Sequence, residues 1–319
     1  MVCAGTVLAD LIIKGFDPKP VSKGRFLSES AALHVGGEAL NEAVAAARLG
    51  LDTGILCFLG SDSVGQIIEK ALTDNGVDTF AAVRPEGVVT PITTMFVDEN
   101  GDRKSIMNSS HKYSFHPAEH TEVLSETKAV TIGSLFRAPF QDAGDTVEFL
   151  KKAKENDVLV FADTKLPSFW QLTLSDFKNV LPLIDYIFPN EDEARHYTGE
   201  EDPERCADVF LSYGVRNVIV KLSGKGCLFK NSDEKIFMPA FKIDAVDATG
   251  AGDNFLSGFV KGMLSGCTHE ESLKIASACG AMCAQYVGAI NGAKSMAEVE
   301  EFIETTPYRV YIDVMKKKL

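Results

Sequence analysis

The chain has 319 residues, 45% of them hydrophobic and 24% charged, with a formal charge of −13 at pH 7. Such a composition supports a sizeable core in one large or two smaller soluble α/β domains, and an acidic surface without a basic stripe argues against a nucleic-acid partner. No apolar run reaches the roughly 18 residues of a membrane span, and no signal peptide is read at the start.

The seven cysteines are odd in number and lack C-x-x-C spacing, which fits a reduced, cytoplasmic protein without structural zinc. In chain order, residues 2–8 read as a first buried strand. Residues 10–35 and about 90–112 alternate polar and apolar side chains and read as antiparallel strands joined by turns. Within the second stretch, 92–98 and 103–108 flank the turn Glu99-Asn100-Gly101-Asp102, whose Asn-Gly pair signals a hairpin. We read both stretches as one small sheet projecting from the main body, serving either as a lid or as a plain surface hairpin.

Short β-branched or aromatic runs at 55–60, 129–134, 158–163, 184–189 and 217–221 read as strands. Between them, 64–75, 144–156, 191–198 and 204–213 carry helical apolar spacing. This alternation predicts a mostly parallel sheet with helices on both faces. Ligands bind beyond the carboxyl ends of such strands, where Asp163, Asn190 and Lys221 fall.

The most informative stretch is Asp247-Ala248-Thr249-Gly250-Ala251-Gly252-Asp253, followed by a helical pattern of Phe255, Leu256, Phe259, Val260, Met263 and Leu264. Two glycines permit a tight turn with exposed N–H groups, and a helix N-terminus attracts a phosphate-like anion. Asp253 stands at that same point, either as a helix N-cap or as a base that accepts a hydroxyl proton during phosphoryl transfer. The chain contains neither G-x-G-x-x-G nor G-x-x-x-x-G-K-[ST], which argues against a dinucleotide oxidoreductase and an ordinary P-loop NTPase.

Further motifs join this one in a set order. Gly36-Gly37-Glu38-Ala39-Leu40-Asn41 opens an Ala-rich stretch that leads to Leu59-Gly60-Ser61-Asp62-Ser63-Val64-Gly65, and Asn190-Glu191-Asp192-Glu193 follows later. Together, and over essentially the whole length, the chain resembles the PfkB/ribokinase family of carbohydrate kinases. The resemblance implies a ribokinase-like three-layer α/β/α sandwich, a single domain over 1–319, with a small β-sheet lid from about 10–35 and 90–112. It implies an ATP-dependent kinase that phosphorylates a hydroxyl of a small sugar.

Roles follow from the resemblance residue by residue. Asp253 is the implied general base, and Gly250, Ala251 and Gly252 the anion hole for the transferring phosphoryl group. Asp10, Gly36, Gly37 and Asn41 are implied to bind the sugar; Arg103 and Lys104, by their place on the lid stretch, suit closing over substrate or phosphates. Asp10 also suits a turn cap, and Gly36-Gly37 a plain helix entry. On the nucleotide side, the resemblance places Lys221, Ser223, Gly224 and Gly226 in the ATP loop, with Ser223 where relatives have Gly. Ser277 is implied to meet adenine, though a small residue there also suits helix packing. Asn190 and Glu193 are implied to hold Mg²⁺ through water; an N-terminal Asn with Glu three residues on is equally a capping box. A monovalent cation such as K⁺ is implied beside the anion hole, near Asp247, Thr249, Cys283, Tyr286, Gly288 and Gly292.

The acceptor is less legible. Glu38 stands where ribokinases tend to have Lys, and Phe136 where they tend to have Glu. Lys165 and Arg137 follow strands and suit either an acidic or phosphorylated substrate or, the preferred reading, a solvated surface. His34, His111 and His116 lack metal-ligand spacing, Trp170 reads as core, and Lys316-Lys317-Lys318 as a solvated tail. The alternatives are a nucleoside kinase of the same fold, which needs an apolar base slot, and a non-catalytic sugar-binding sensor. An exposed lid edge suggests a homodimer formed through it.

Overall fold

A computed structural model describes residues 1–15, 28–98, 103–108, 115–167 and 171–309. The turn at 99–102, His111, Trp170 and the lysines at 316–318 lie outside these residues.

The main sheet has eight strands: β1 (Val2–Ala4), β4 (Gly54–Leu56), β7 (Ala129–Leu135), β8 (Leu159–Thr164), β9 (Tyr186–Phe188), β10 (Asn217–Lys221), β11 (Gly226–Lys230) and β12 (Lys235–Pro239). Their order is β12-β11-β10-β9-β8-β7-β1-β4, parallel except where β11 and β12 return antiparallel at one edge. Side chains alternate between faces along each strand, as a pleat requires. Val160, Ala162, Ile187, Val218 and Val220 join one apolar cluster, while Phe161, Tyr186, Phe188 and Ile219 join another.

The first cluster is covered by α3 (Ala143–Glu155), α4 (Glu191–Thr198) and α5 (Pro203–Ser212). The opposite face is covered by α1 (Glu38–Arg48), α2 (Ser63–Asp74), α6 (Ala251–Leu264), α7 (His269–Ala284) and α8 (Met296–Thr305). The result is the expected α/β/α sandwich. Phe259 fixes α6 to the sheet: it is fully buried, edge-on to Phe161 and Phe188 and tilted against Tyr186. Edge-to-face geometry suits the quadrupoles of these rings.

The second sheet has the order β3-β2-β5-β6, from β2 (Leu8–Lys14), β3 (Ser30–Gly36), β5 (Ile92–Val97) and β6 (Arg103–Asn108). The two stretches predicted to share a sheet do so. Each hairpin is antiparallel, but β2 and β5 pair in parallel, so the sheet is mixed. Residues 2–8 are not one strand. Gly5, with φ of 152°, separates β1 from β2 and sends the chain from the main sheet into the small one. Likewise β4 ends at Leu56, and Phe58 makes an isolated bridge with Val83.

Candidate active site

The carboxyl ends of β7, β8 and β10, the N-terminus of α6 and the inner face of the small sheet surround a cleft of about 740 Å³. Gly250 enters α6 with φ of 78°, and a Cβ there would lie 2.5 Å from that of Ala289. Glycine is needed at this turn. Gly250, Ala251, Gly252 and Asp253 all line the cleft, at the end of the helix where N–H groups lack intrahelical partners.

Asp253 is buried, and its Oδ2 accepts a hydrogen bond from Asn41 Nδ2 at 2.7 Å. Burial raises its carboxyl above the usual range, while Lys165 and the Asn41 bond pull it down. Asn41 is brought there by α1, which starts at Gly37 with φ of 99°. A Cβ on Gly37 would collide with the Thr6 carbonyl, so the helix enters close to the loop leaving β1. Asp10 lies on β2 beside Thr93 of β5 and opposite His34 of β3. Its carboxyl is raised by burial, against a hydrogen bond with Thr93. A Cβ at Gly36 would sit 3.1 Å from Asp10 Oδ2.

Lys221 ends β10, and its Nζ donates to both carboxylate oxygens of buried Asp163 at 2.7 Å. A Cβ on Gly252 would lie 3.2 Å from Lys221 Nζ and 3.8 Å from Asp163 Oδ2. The ion pair therefore borders the N-terminus of α6 directly. Beyond it, Ser223 adopts φ of 51°, the left-handed backbone that glycine takes at less cost. Gly226, with φ of 121°, has no room for a Cβ against the Met238 carbonyl. Ser223, Gly224, Gly226 and Ser277 all line this end of the cleft, together with the apolar side chains of Phe241, Ile243 and Ala281. Ser277 also hydrogen-bonds the Cys227 thiol.

Asn190 caps α4, its Oδ1 accepting from the N–H groups of Asp192 and Glu193, and Glu193 Oε2 returns to the Asn190 N–H at 2.9 Å. The capping box is thus formed. Glu193 Oε2 also accepts from the Thr164 hydroxyl at 2.8 Å, and burial raises its carboxyl. Asn190 lines the cleft beside Asp163. Among the described residues no cluster of three His, Cys, Asp or Glu side chains is arranged to hold a metal. Both Asp163 oxygens take Lys221, and Asn190 Oδ1 and Glu193 Oε2 serve the capping box, so these groups suit Mg²⁺ through its water shell, which the ion gives up reluctantly.

The loops proposed for a monovalent cation do meet. Asp247 Oδ1 accepts from Thr249 N–H and hydroxyl, and Oδ2 from Gly288 N–H. Cys283 Sγ donates to the carbonyls of Thr249 and Ala289, and Gly292 packs under Cys283. Tyr286 is mostly exposed. Arg103 stands on β6, and its side chain lies outside the described atoms.

Two side chains depart from the preferred sequence reading. Arg137 and Lys165 are half-buried in the cleft wall rather than solvated on the surface. Asp163, singled out from sequence by its place at a strand end, lines the cleft and is paired with Lys221. Phe136 lies in the core and away from the cleft.

Residues 1–296 match the family described as pfkB family carbohydrate kinase. The chain is 28% identical over 306 residues to a ribokinase of Haemophilus influenzae, covering 94% of this chain and 97% of that one. It is 28% identical over 297 residues to an ATP-dependent 6-phosphofructokinase of Thermoanaerobacterium thermosaccharolyticum, covering 91% and 89%. The solved structure of Arabidopsis thaliana ribokinase complexed with ribose and ATP superposes with a TM-score of 0.81 at 24% identity, covering 95% and 98%.

Proposed function

The chain belongs to the pfkB family of carbohydrate kinases and is an ATP-dependent phosphotransferase, and on that premise we propose that it phosphorylates a hydroxyl of a small sugar with Asp253 as general base. The observation that carries this reading is the position of Asp253: buried, held by Asn41, and in the first turn of α6, directly after Gly250, Ala251 and Gly252, which line the cleft with it.

The acceptor hydroxyl lies against Asp253, with Asp10, Gly36, Gly37 and Asn41 around the sugar. The triphosphate lies across Lys221, Ser223, Gly224 and Gly226, with adenine beside Ser277. As the hydroxyl attacks, Asp253 takes its proton and the anion hole of Gly250, Ala251 and Gly252 meets charge on the transferring group, chiefly through the N–H groups of Gly250 and Gly252, since that of Ala251 donates to the Ala248 carbonyl at 3.1 Å. Oriented donors at that point lower the barrier without reorganising. Lys221 supplies a point charge to the phosphates. Mg²⁺, which Asn190 and Glu193 would hold through water beside Asp163, would neutralise phosphate oxygens. A monovalent cation between the Asp247 and Gly288 loops would add positive charge beside the anion hole.

The small sheet, with Asp10 and Met107 facing the cleft, is read as a lid on a single domain. Leu33 and Ile106 are exposed on it and suit a homodimer formed through the lid. Light scattering after size exclusion checks that point, and a clean monomer contradicts it. For the chemistry, Asp253→Asn is expected to cut kcat at least 10²–10⁴-fold, the usual range for a general base, while ATP binds as before. Retained turnover in that variant contradicts the reading.

A further inference from the structure

Arg137 and Lys165 stand out among the cleft's charged groups. Their ammonium and guanidinium groups make no ion pair or hydrogen bond with any described residue, yet both are half-buried. By contrast, Lys221 is paired with Asp163. Surrounding carboxylates keep Lys165 charged from beyond ion-pair distance, so both cations can take an anionic ligand in direct, charge-assisted contact.

Their placement is built. β7 and β8 pair in parallel with Leu135 beside Thr164, and Lys165 N–H donates to the Leu135 carbonyl at 3.1 Å. The two cations therefore leave adjacent strand ends. Phe136, just before Arg137, takes φ of 72°, a conformation that costs a bulky residue on the order of 1–3 kcal/mol. Phe136 is fixed there by stacking on Tyr197 at 4.1 Å and edge contact with Phe177 at 4.6 Å. The same Tyr197 donates its hydroxyl to the Lys165 carbonyl at 2.6 Å. One aromatic group thus anchors the backbone of both cations. The strained turn buries the Phe136 ring while Arg137 lines the cleft.

We propose that Arg137 and Lys165 form an anion subsite at the acceptor end, and that the acceptor is a sugar bearing a carboxylate or a phosphate. This rests on the kinase reading above. The acidic neighbours do not defeat it. Asp253, Asp163, Glu38 and Glu193 act on Lys165 without an ion pair, and they keep it charged against burial. A bound anion would come into direct contact, and Coulomb energy falls inversely with distance. The acceptor's anionic group contacts Arg137 and Lys165, leaving its hydroxyl for Asp253. Nothing covalent happens at the subsite.

The test measures ADP release with ATP and three acceptor classes: neutral ribose and fructose, fructose 6-phosphate, and the acid 2-dehydro-3-deoxygluconate. It is run on the wild type, Lys165→Gln and Arg137→Gln. Acceptor binding is followed in parallel by calorimetry without nucleotide. The expected result is turnover of an anionic acceptor, with KM and dissociation constant raised about 10- to 100-fold in each variant, the value of one charge-assisted contact. ATP KM stays within about twofold. Preference between phosphate and acid identifies which anion is bound. Efficient turnover of a neutral sugar, with anionic ones inert, overturns the subsite and leaves the kinase reading intact. So does a fall in kcat with acceptor affinity unchanged. No turnover of any class, with ATP and an acceptor still binding, overturns the kinase reading itself.

Discussion

The two ends of the cleft are built from different materials. The end proposed for the nucleotide is rich in glycine, with Gly224, Gly226, Gly250, Gly252 and Gly280 among small and apolar side chains and one ion pair, Lys221–Asp163. The end proposed for the acceptor is lined by charged and polar side chains, Asp10, Glu38, Asn41, Arg137 and Lys165. Backbone surfaces recognise shape and phosphate without asking much of neighbouring side chains. Side-chain walls change their ligand with one or two substitutions. A single scaffold can therefore hold its nucleotide constant while its acceptor varies, with Asp253 at the junction.

The largest effect expected lies outside both ends. Phe259→Ala empties the aromatic packing under α6 and should cost about 3–5 kcal/mol of stability. Chemical denaturation measures that loss, and a near-neutral result breaks the view that α6 is held by this contact. Next, Gly252→Val puts bulk where a Cβ is already 3.2 Å from Lys221 Nζ. Loss of one anion-hole position should lower kcat about 10²–10³-fold, while calorimetry still shows acceptor binding. If acceptor affinity collapses as well, the ends are not separate.

A pH profile sharpens the division further. Asp253 must be ionised to accept a proton, so kcat/KM falls as pH drops through its raised pKa. Lys165 favours the ionised form, so Lys165→Gln should move that acid limb to higher pH. Lys221 is not among the leading groups that act on Asp253, and Lys221→Gln should move the limb less than Lys165→Gln does.

The smallest effect concerns Glu42, fully buried behind Asp253 with Oε2 accepting from Thr131. Burial, then the Asp253 charge, holds its carboxyl well above the ordinary value of 4.5. The folded state thus keeps a proton that the unfolded chain gives up, and wild-type stability declines as pH rises above 4.5, by at most about 1.4 kcal/mol per pH unit. Glu42→Gln lacks that decline, so the variant should gain relative to wild type between acid and neutral pH. Parallel stability curves contradict a protonated Glu42.

The nucleotide end and the junction were legible because glycines that turn a chain leave a spaced mark in the sequence. Gly37 and Gly250 do take positive φ; Asn190 does follow its strand, while Asp163 and Lys221 are the last but one and the last residue of theirs. The Asn190–Glu193 capping box was also visible, since its hydrogen bonds are local. What escaped is non-local. The parallel pairing of β2 with β5 joins segments some 80 residues apart, and no periodicity reports it. β11 and β12 were absent from the sequence reading, although residues 227–229 and 236–238 are apolar. For Arg137 and Lys165 the sequence left a substrate contact and a solvated surface both open, with the surface preferred, because a cation after a strand looks alike whether it faces solvent or a cleft. Phe136 gave no sign of its positive φ, since a bulky aromatic is an unusual residue for that conformation.

The central claim is that the two ends do separate work around Asp253. Its most direct test is a double-mutant cycle of Lys165→Gln and Lys221→Gln, with KM for ATP and for acceptor measured in all four proteins. Lys165→Gln should raise only the acceptor KM and Lys221→Gln only the ATP KM, with the double variant showing their product within about twofold. If either substitution moves both constants together, the cleft is one undivided site and the account fails.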